Sequence, residues 1–232
     1  MTTTPADPSQ AWSRASKEEL ANAVTHGLGA ALAVAALVLM IVFASLRGSA
    51  RHIVGATIFG STMVLLYLMS TLYHSFQGRR VKLVFRVLDH ASIFLLIAGT
   101  YTPFCLATLK GAWGWTLFGL IWGLAAVGIT LKSILLSMAG HLAGKRLWEA
   151  VSLAIYLLMG WLIVIAIVPL YRSLPLGGLY WLFGGGLCYT LGAIFYAWQR
   201  LPYHHALWHL AVVAGSGCHF ACVLIYVIPG KG

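Results

Sequence analysis

Five side chains in this sequence combine metal-binding with proton-handling chemistry. Ser70 and His74 stand four residues apart, as do His205 and His209, and on a helix each pair shares one face. The segment His205-Ala206-Leu207-Trp208-His209 resembles the paired-histidine helix ligands of zinc enzymes, although no Glu follows the first histidine. With His74 added, three neutral imidazoles would serve a tetrahedral zinc whose fourth position is left for water. Asp89 would be satisfied as an acceptor beside that water or from a ligand histidine's ring N–H. Ser70, one turn before His74, would hydrogen-bond the same water. The same residues also suit a proton relay, since Asp and His chains inside membrane segments serve transport. A histidine pair alone would be an ordinary interface feature; its co-location with Ser70, His74 and Asp89 is what raises metal binding above that reading.

The elements that must carry these residues follow from composition. Of 232 residues, 60% are hydrophobic and 9% charged, with a mean hydropathy of +0.88. Soluble domains carry about 25% charged residues, so this chain cannot furnish a water-facing surface. An all-α membrane protein is expected. Seven apolar segments each reach the length of about 20 residues that a spanning helix needs: 20–46, 52–76, 83–109, 113–137, 147–170, 179–198 and 204–228. Residues 1–18, with Pro5 and Pro8, are expected to form a disordered cytoplasmic tail, and residues 19–230 one transmembrane domain. The first segment is far longer than the apolar region of a signal peptide and is expected to be retained.

Orientation comes from the cations. With short connections, one side collects Arg14, Lys17, Arg79, Arg80, Lys82, Arg86, Lys132, Lys145, Arg146 and Arg200, against Arg47, Arg51, Lys110, Arg172 and Lys231 on the other. The richer side is cytoplasmic, which puts the N-terminus inside and the C-terminus outside the cytoplasm. The formal charge of +10 fits loops facing anionic lipid heads rather than nucleic acid. His74, Asp89 and the His205/His209 pair then all lie at cytoplasmic helix ends, within roughly 5–14 Å of the boundary at 1.5 Å per residue.

Other polar residues read more simply. Glu19, Asn22 and His26, spaced by three and four, favour capping or packing, with a role behind the metal ligands as the alternative. His90, adjacent to Asp89, points elsewhere. His204 belongs at the head-group boundary, and His52, His141 and His219 fall outside the cluster. Glu149 is a partner for Lys145 and Arg146. Cys105, Cys188, Cys218 and Cys222 read as inert buried thiols. Gly184-Gly185-Gly186 marks close helix packing.

Taken together, Glu19-x-x-Asn22-x-x-Thr25-His26-x-x-Gly29, Ser70-Thr71-Leu72-Tyr73-His74, Asp89-His90-Ala91-Ser92, Gly99-Thr100-Tyr101-Thr102-Pro103 and His205-x-x-x-His209 resemble the bacterial hemolysin III proteins. These belong to the progestin and adipoQ receptor family, which includes the adiponectin receptors, within a wider set of membrane hydrolases containing alkaline ceramidases. The resemblance covers the chain from about residue 19 onward. It implies seven helices with a cytoplasmic N-terminus, zinc held at His74, His205 and His209, Asp89 acting through water, and Ser70 beside it. It implies nothing about hormone binding.

The expected function is zinc-dependent hydrolysis of a lipid amide or ester at the inner leaflet of the cell membrane. Asp89 would serve as general base, and an apolar cavity between helices would hold the lipid's acyl chains. The alternatives are a membrane sensor or regulator in which zinc is structural, a cytolysis-associated protein, and an ion or proton transporter working through Asp89. A retinal pump is excluded by the absence of a lysine in the last segment.

Overall fold

The computed structural model describes residues 8–109, 111–138 and 145–229. Among them there is no strand. The helices are α1 (Pro8–Arg47), α2 (Ala50–Ser75), α3 (Arg79–Pro103), α4 (Ala112–Met138), α5 (Lys145–Trp161), α6 (Ile167–Ser173), α7 (Leu176–Ala197) and α8 (His204–Cys222). Wide π-helical turns prolong α3 over Phe104–Thr108 and α8 over Val223–Val227, and a 3₁₀ turn over Leu162–Ala166 joins α5 to α6 into one rod. Six stretches are long and apolar enough to cross a membrane: Ala15–Arg47, Ala50–Ser75, Ala112–Ile134, Leu147–Ser173, Leu176–Ala197 and His204–Val227. The helix that falls short is α3, because its first half carries Arg79, Arg80, Lys82, Arg86, Asp89 and His90.

The first helix starts earlier than its hydropathy suggests. Residues 8–18, expected in the tail, form its opening turns, since nothing after Pro8 breaks a helix and proline suits a helix start. Residues 1–7 lie outside the described residues, as do Lys110, His141 and Lys231. The turn into α2 is tight: Ser49 caps the helix and its backbone N–H bonds to His52 Nδ1 at 3.0 Å, which accounts for that histidine. The irregular turn after α5 has its loosened backbone groups met by one phenol. Tyr101 Oη donates to the carbonyls of Met159 and Gly160, both at 2.8 Å, and accepts the Ile163 N–H at 2.8 Å.

Packing brings the chemistry to one end. The pairs α1–α2, α2–α3 and α7–α8 lie closest, and α1 also touches α8. Gly29 permits this, for a Cβ there would press on Tyr67 of α2 and Val213 of α8 at 3.0–3.3 Å. Tyr67 and Tyr189 both hydrogen-bond Ser216 Oγ, at 2.7 and 2.8 Å, tying α2 and α7 to α8. The interior is apolar, with Met40, Phe59, Phe94, Phe104, Leu117 and Ile121 nearly inaccessible. The outer surface is apolar as well: Leu28, Leu158, Leu187 and Ile194 are all more than half exposed. An inside-and-outside apolar pattern is what a lipid solvent requires.

Candidate metal centre and apolar cavity

His74 lies in the last turn of α2, and His205 and His209 lie in the first turns of α8. Contact between the two helices' ends brings one ligand atom from each of the three rings to within 4.8 Å of the others. The ring centroids are 5.0 Å apart for His74–His205, 5.2 Å for His74–His209 and 4.6 Å for His205–His209. In all three rings Nε2 is buried and without a hydrogen-bond partner. A buried polar atom left without a partner costs free energy and calls for an explanation; three of them converging on one point suit a cation.

The remaining ring nitrogens are held from behind. His74 Nδ1 donates to Glu19 Oε2 at 2.7 Å, and Glu19 Oε1 accepts from Lys82 Nζ at 3.0 Å. His209 Nδ1 lies 3.2 Å from the Asn22 carbonyl and 3.1 Å from Thr25 Oγ1. With the proton on Nδ1, Nε2 presents its lone pair, which is the tautomer a metal needs. Of the capping or packing expected for Glu19, Asn22 and His26, capping does not occur: α1 begins eleven residues before Glu19, so the carboxylate stands inside the helix and reaches a ring of α2. Asn22 contributes its backbone carbonyl rather than its side chain, and His26 stacks on His209 at 3.5 Å with 12° between the planes.

Asp89 is 3% exposed and Ser70 fully inaccessible, and Asp89 Oδ1 and Ser70 Oγ are both without partners. Asp89 and His205 line the same small cavity, of about 20 Å³. His90, expected to point elsewhere, lines this cavity too: its Nδ1 donates to the Arg86 carbonyl at 2.8 Å and lies 3.7 Å from Asp89 Oδ2. Sequence reasoning missed Lys132 on this cavity. It was counted with the loop cations, yet it is buried and its Nζ donates to Ser152 Oγ of α5 at 2.8 Å. Its place amid the apolar run of α4, rather than in the loop, was the available signal. Glu149 also faces this cavity, while the side chains of Lys145 and Arg146, its expected partners, lie outside the described residues.

Next to the centre is a larger apolar cavity of about 120 Å³, walled by α3, α5, α7 and α8 and reached by His26, Leu66 and Trp208. It shares Ile93, Leu153, Tyr156 and Trp208 with the small cavity at Asp89. The molecule thus places a polar, cation-ready centre at the head of a chamber whose mostly apolar walls suit a hydrocarbon chain. The four cysteines are free, as their scatter implied, but of the burial expected for all four only Cys105 and Cys222 show it; Cys188 and Cys218 are partly exposed.

The family described as haemolysin-III related matches residues 14–220. The chain is 49% identical to "Hemolysin-3" of Bacillus cereus over 92% of its own length and 93% of that protein. It is 49% identical to the "Hemolysin-3 homolog" of Bacillus subtilis (strain 168) over 91% and 95%. It is 27% identical to the human "Monocyte to macrophage differentiation factor" over 90% and 84%.

Proposed function

The chain belongs to the haemolysin-III related family and is a multi-pass protein of the cell membrane, and from that premise we propose that it is a zinc-dependent hydrolase of a lipid amide or ester. One observation carries the reading: three buried, partnerless Nε2 atoms converge at the head of an apolar cavity. Three imidazoles are a donor set for catalytic zinc, which keeps an open fourth position. Zinc–nitrogen bonds of about 2.0–2.1 Å set tetrahedral donors about 3.4 Å apart, so rings already within 4.8 Å need close by little more than an ångström. In this proposal α3 spans along with the six other rods, the N-terminus is cytoplasmic, and the centre lies near the inner leaflet.

Zinc in such a site lowers the pKa of water toward neutrality and polarises a carbonyl. The protein's own groups do the rest. His74, His205 and His209 bind through Nε2, and Glu19 and the Asn22 carbonyl fix the orientation and tautomer of two of the rings. Asp89 Oδ1 takes a proton from the attacking water as general base and later returns it to the leaving nitrogen or oxygen. Ser70 Oγ orients that water. The apolar walls hold the acyl chain and keep other water from the reacting bond.

A second reading, a sensor or regulator without turnover, draws on the helices that the centre joins: ligands from α2 and α8, held by groups of α1, would be stapled together by a metal. Metal analysis and lipid turnover on the purified protein separate the two. About one zinc per chain is expected, together with cleavage of a lipid amide or ester, both lost in His209→Ala while the helical content stays. Zinc without turnover across amides and esters leaves the stapling reading, and absence of metal sinks both.

A further inference from the structure

The polar groups around the large cavity are mostly occupied within the protein. Tyr101 is bonded to the turn after α5 and Tyr189 to Ser216. Thr100 donates to the Leu96 carbonyl at 2.7 Å, and Thr190 donates to the Gly186 carbonyl while accepting from Trp161. Among the described residues on that wall, the side chains with a buried nitrogen lacking a partner are His26, beside the metal centre, and His219. His219 stands ten residues beyond His209 on α8, about 15 Å further along the axis. It is 6% exposed and remote from every residue assigned to hydrolysis.

The His219 ring can be assigned a tautomer. Its Nε2 is 3.0 Å from the Leu182 carbonyl, and because a carbonyl only accepts, Nε2 carries the proton. Nδ1 of the neutral ring is then a lone-pair acceptor, and it has no partner. The placement is built into the fold. A Cβ on Gly185 would fall on His219 Cδ2 and Nε2, so that glycine lets the ring lie against α7 and reach Leu182. With the Cδ2–Nε2 edge against α7, the Nδ1 edge is turned away from it. A lone water would need two to four polar partners to settle there, and the hydroxyls of Tyr189, whose ring lies 5.6 Å from that of His219, and Ser216 are already paired with each other.

We propose that the lipid occupying the cavity carries a hydroxyl along its acyl chain, and that His219 Nδ1 accepts that hydroxyl's hydrogen bond. A ketone or ether oxygen has no proton to give, and a plain chain leaves the lone pair unmet; a hydroxyl needs only this one acceptor. An extended carbon chain advances about 1.2 Å per bond, so the hydroxyl falls about twelve bonds from the end held at the metal centre. This rests on the reading of the cavity as an acyl site, but not on turnover.

The test is therefore made by binding, on the wild-type protein as purified, in detergent, where free fatty acids offer no amide or ester bond to cleave. Stearate, 2-hydroxystearate and 12-hydroxystearate are titrated calorimetrically. The 12-hydroxy acid is expected to bind about fivefold tighter than the other two, the effect of one neutral hydrogen bond. His219→Phe, which keeps the ring's shape, and His219→Gln, which keeps a donor for Leu182, should bind stearate as the wild type does and lose the preference. Equal affinities in the wild type, or a preference that survives in His219→Phe, overturns the proposal. Failure of every acid to bind the wild type overturns it together with the acyl reading of the cavity.

Discussion

Glu19 is the residue whose role is most sharply defined by a single contact. A carboxylate 2.7 Å from His74 Nδ1 strengthens the opposite nitrogen as a donor and holds the ring in one tautomer. Groups in that position typically change metal affinity 10–100-fold. Glu19→Gln is therefore expected to weaken zinc binding by that factor, read by competition with a chelator, while Lys82→Met, which removes Glu19's partly exposed partner, should change it far less. In the proposed mechanism Asp89 serves the reaction rather than the metal, and it is not among the three grouped histidines. Asp89→Asn should keep its zinc and lose roughly 10²–10⁴ in turnover, the usual contribution of a general base; loss of the zinc instead would make Asp89 a ligand.

At the scale of elements, the centre depends on how closely α2 meets α3 and α1. Gly99 of α3 sits where a Cβ would fall on Thr62 Oγ1, with Thr62 Cβ and Cγ2 at 2.9 and 3.0 Å. Gly99→Ala forces those helices apart and should cost about 1–3 kcal/mol, seen as a lower unfolding temperature in detergent. Gly119, on α4, faces open space: a Cβ there would meet no atom within 4 Å. Gly119→Ala is the matched control, expected to be neutral or to stabilise by up to about 1 kcal/mol through helix propensity. The same logic explains α1. Its approach to α2 and α8 at Gly29 carries Glu19, Asn22 and Thr25 to rings that are more than fifty residues away in sequence.

For the whole molecule, the proposed seven crossings would put the termini on opposite sides, and the cation count would assign the sides. A phosphatase reporter that works only outside the cytoplasm, fused at the C-terminus, should be active, and the same reporter at the N-terminus silent. The reverse pattern would move the centre to the outer leaflet and with it the proposed access to inner-leaflet lipid. Six of the seven expected spans pass on length and hydropathy, and α3 is the informative exception. The helix that brings Asp89 into the bundle is the one whose polar residues lower its hydropathy, so function and the hydropathy signal pull in opposite directions there.

Hydropathy and helical spacing, read from the sequence alone, determined that the chain is a bundle of apolar helices, and where along each one Ser70, His74, Asp89, His205 and His209 stand. Those properties are local: a run of apolar residues and a four-residue interval fix depth and face without reference to the rest of the chain. Tertiary structure decided which way each face turns and what meets it. The three histidines gather because α2 and α8 lie side by side, the last turn of α2 beside the first turns of α8. Glu19 serves His74 rather than a helix terminus because α1 starts early and lies close. Lys132 points inward to Ser152, and His219 lies flat on Gly185, for reasons found only on the neighbouring helix. Rotation of one rod against another is set by packing across the bundle, and no pattern within a single segment encodes it.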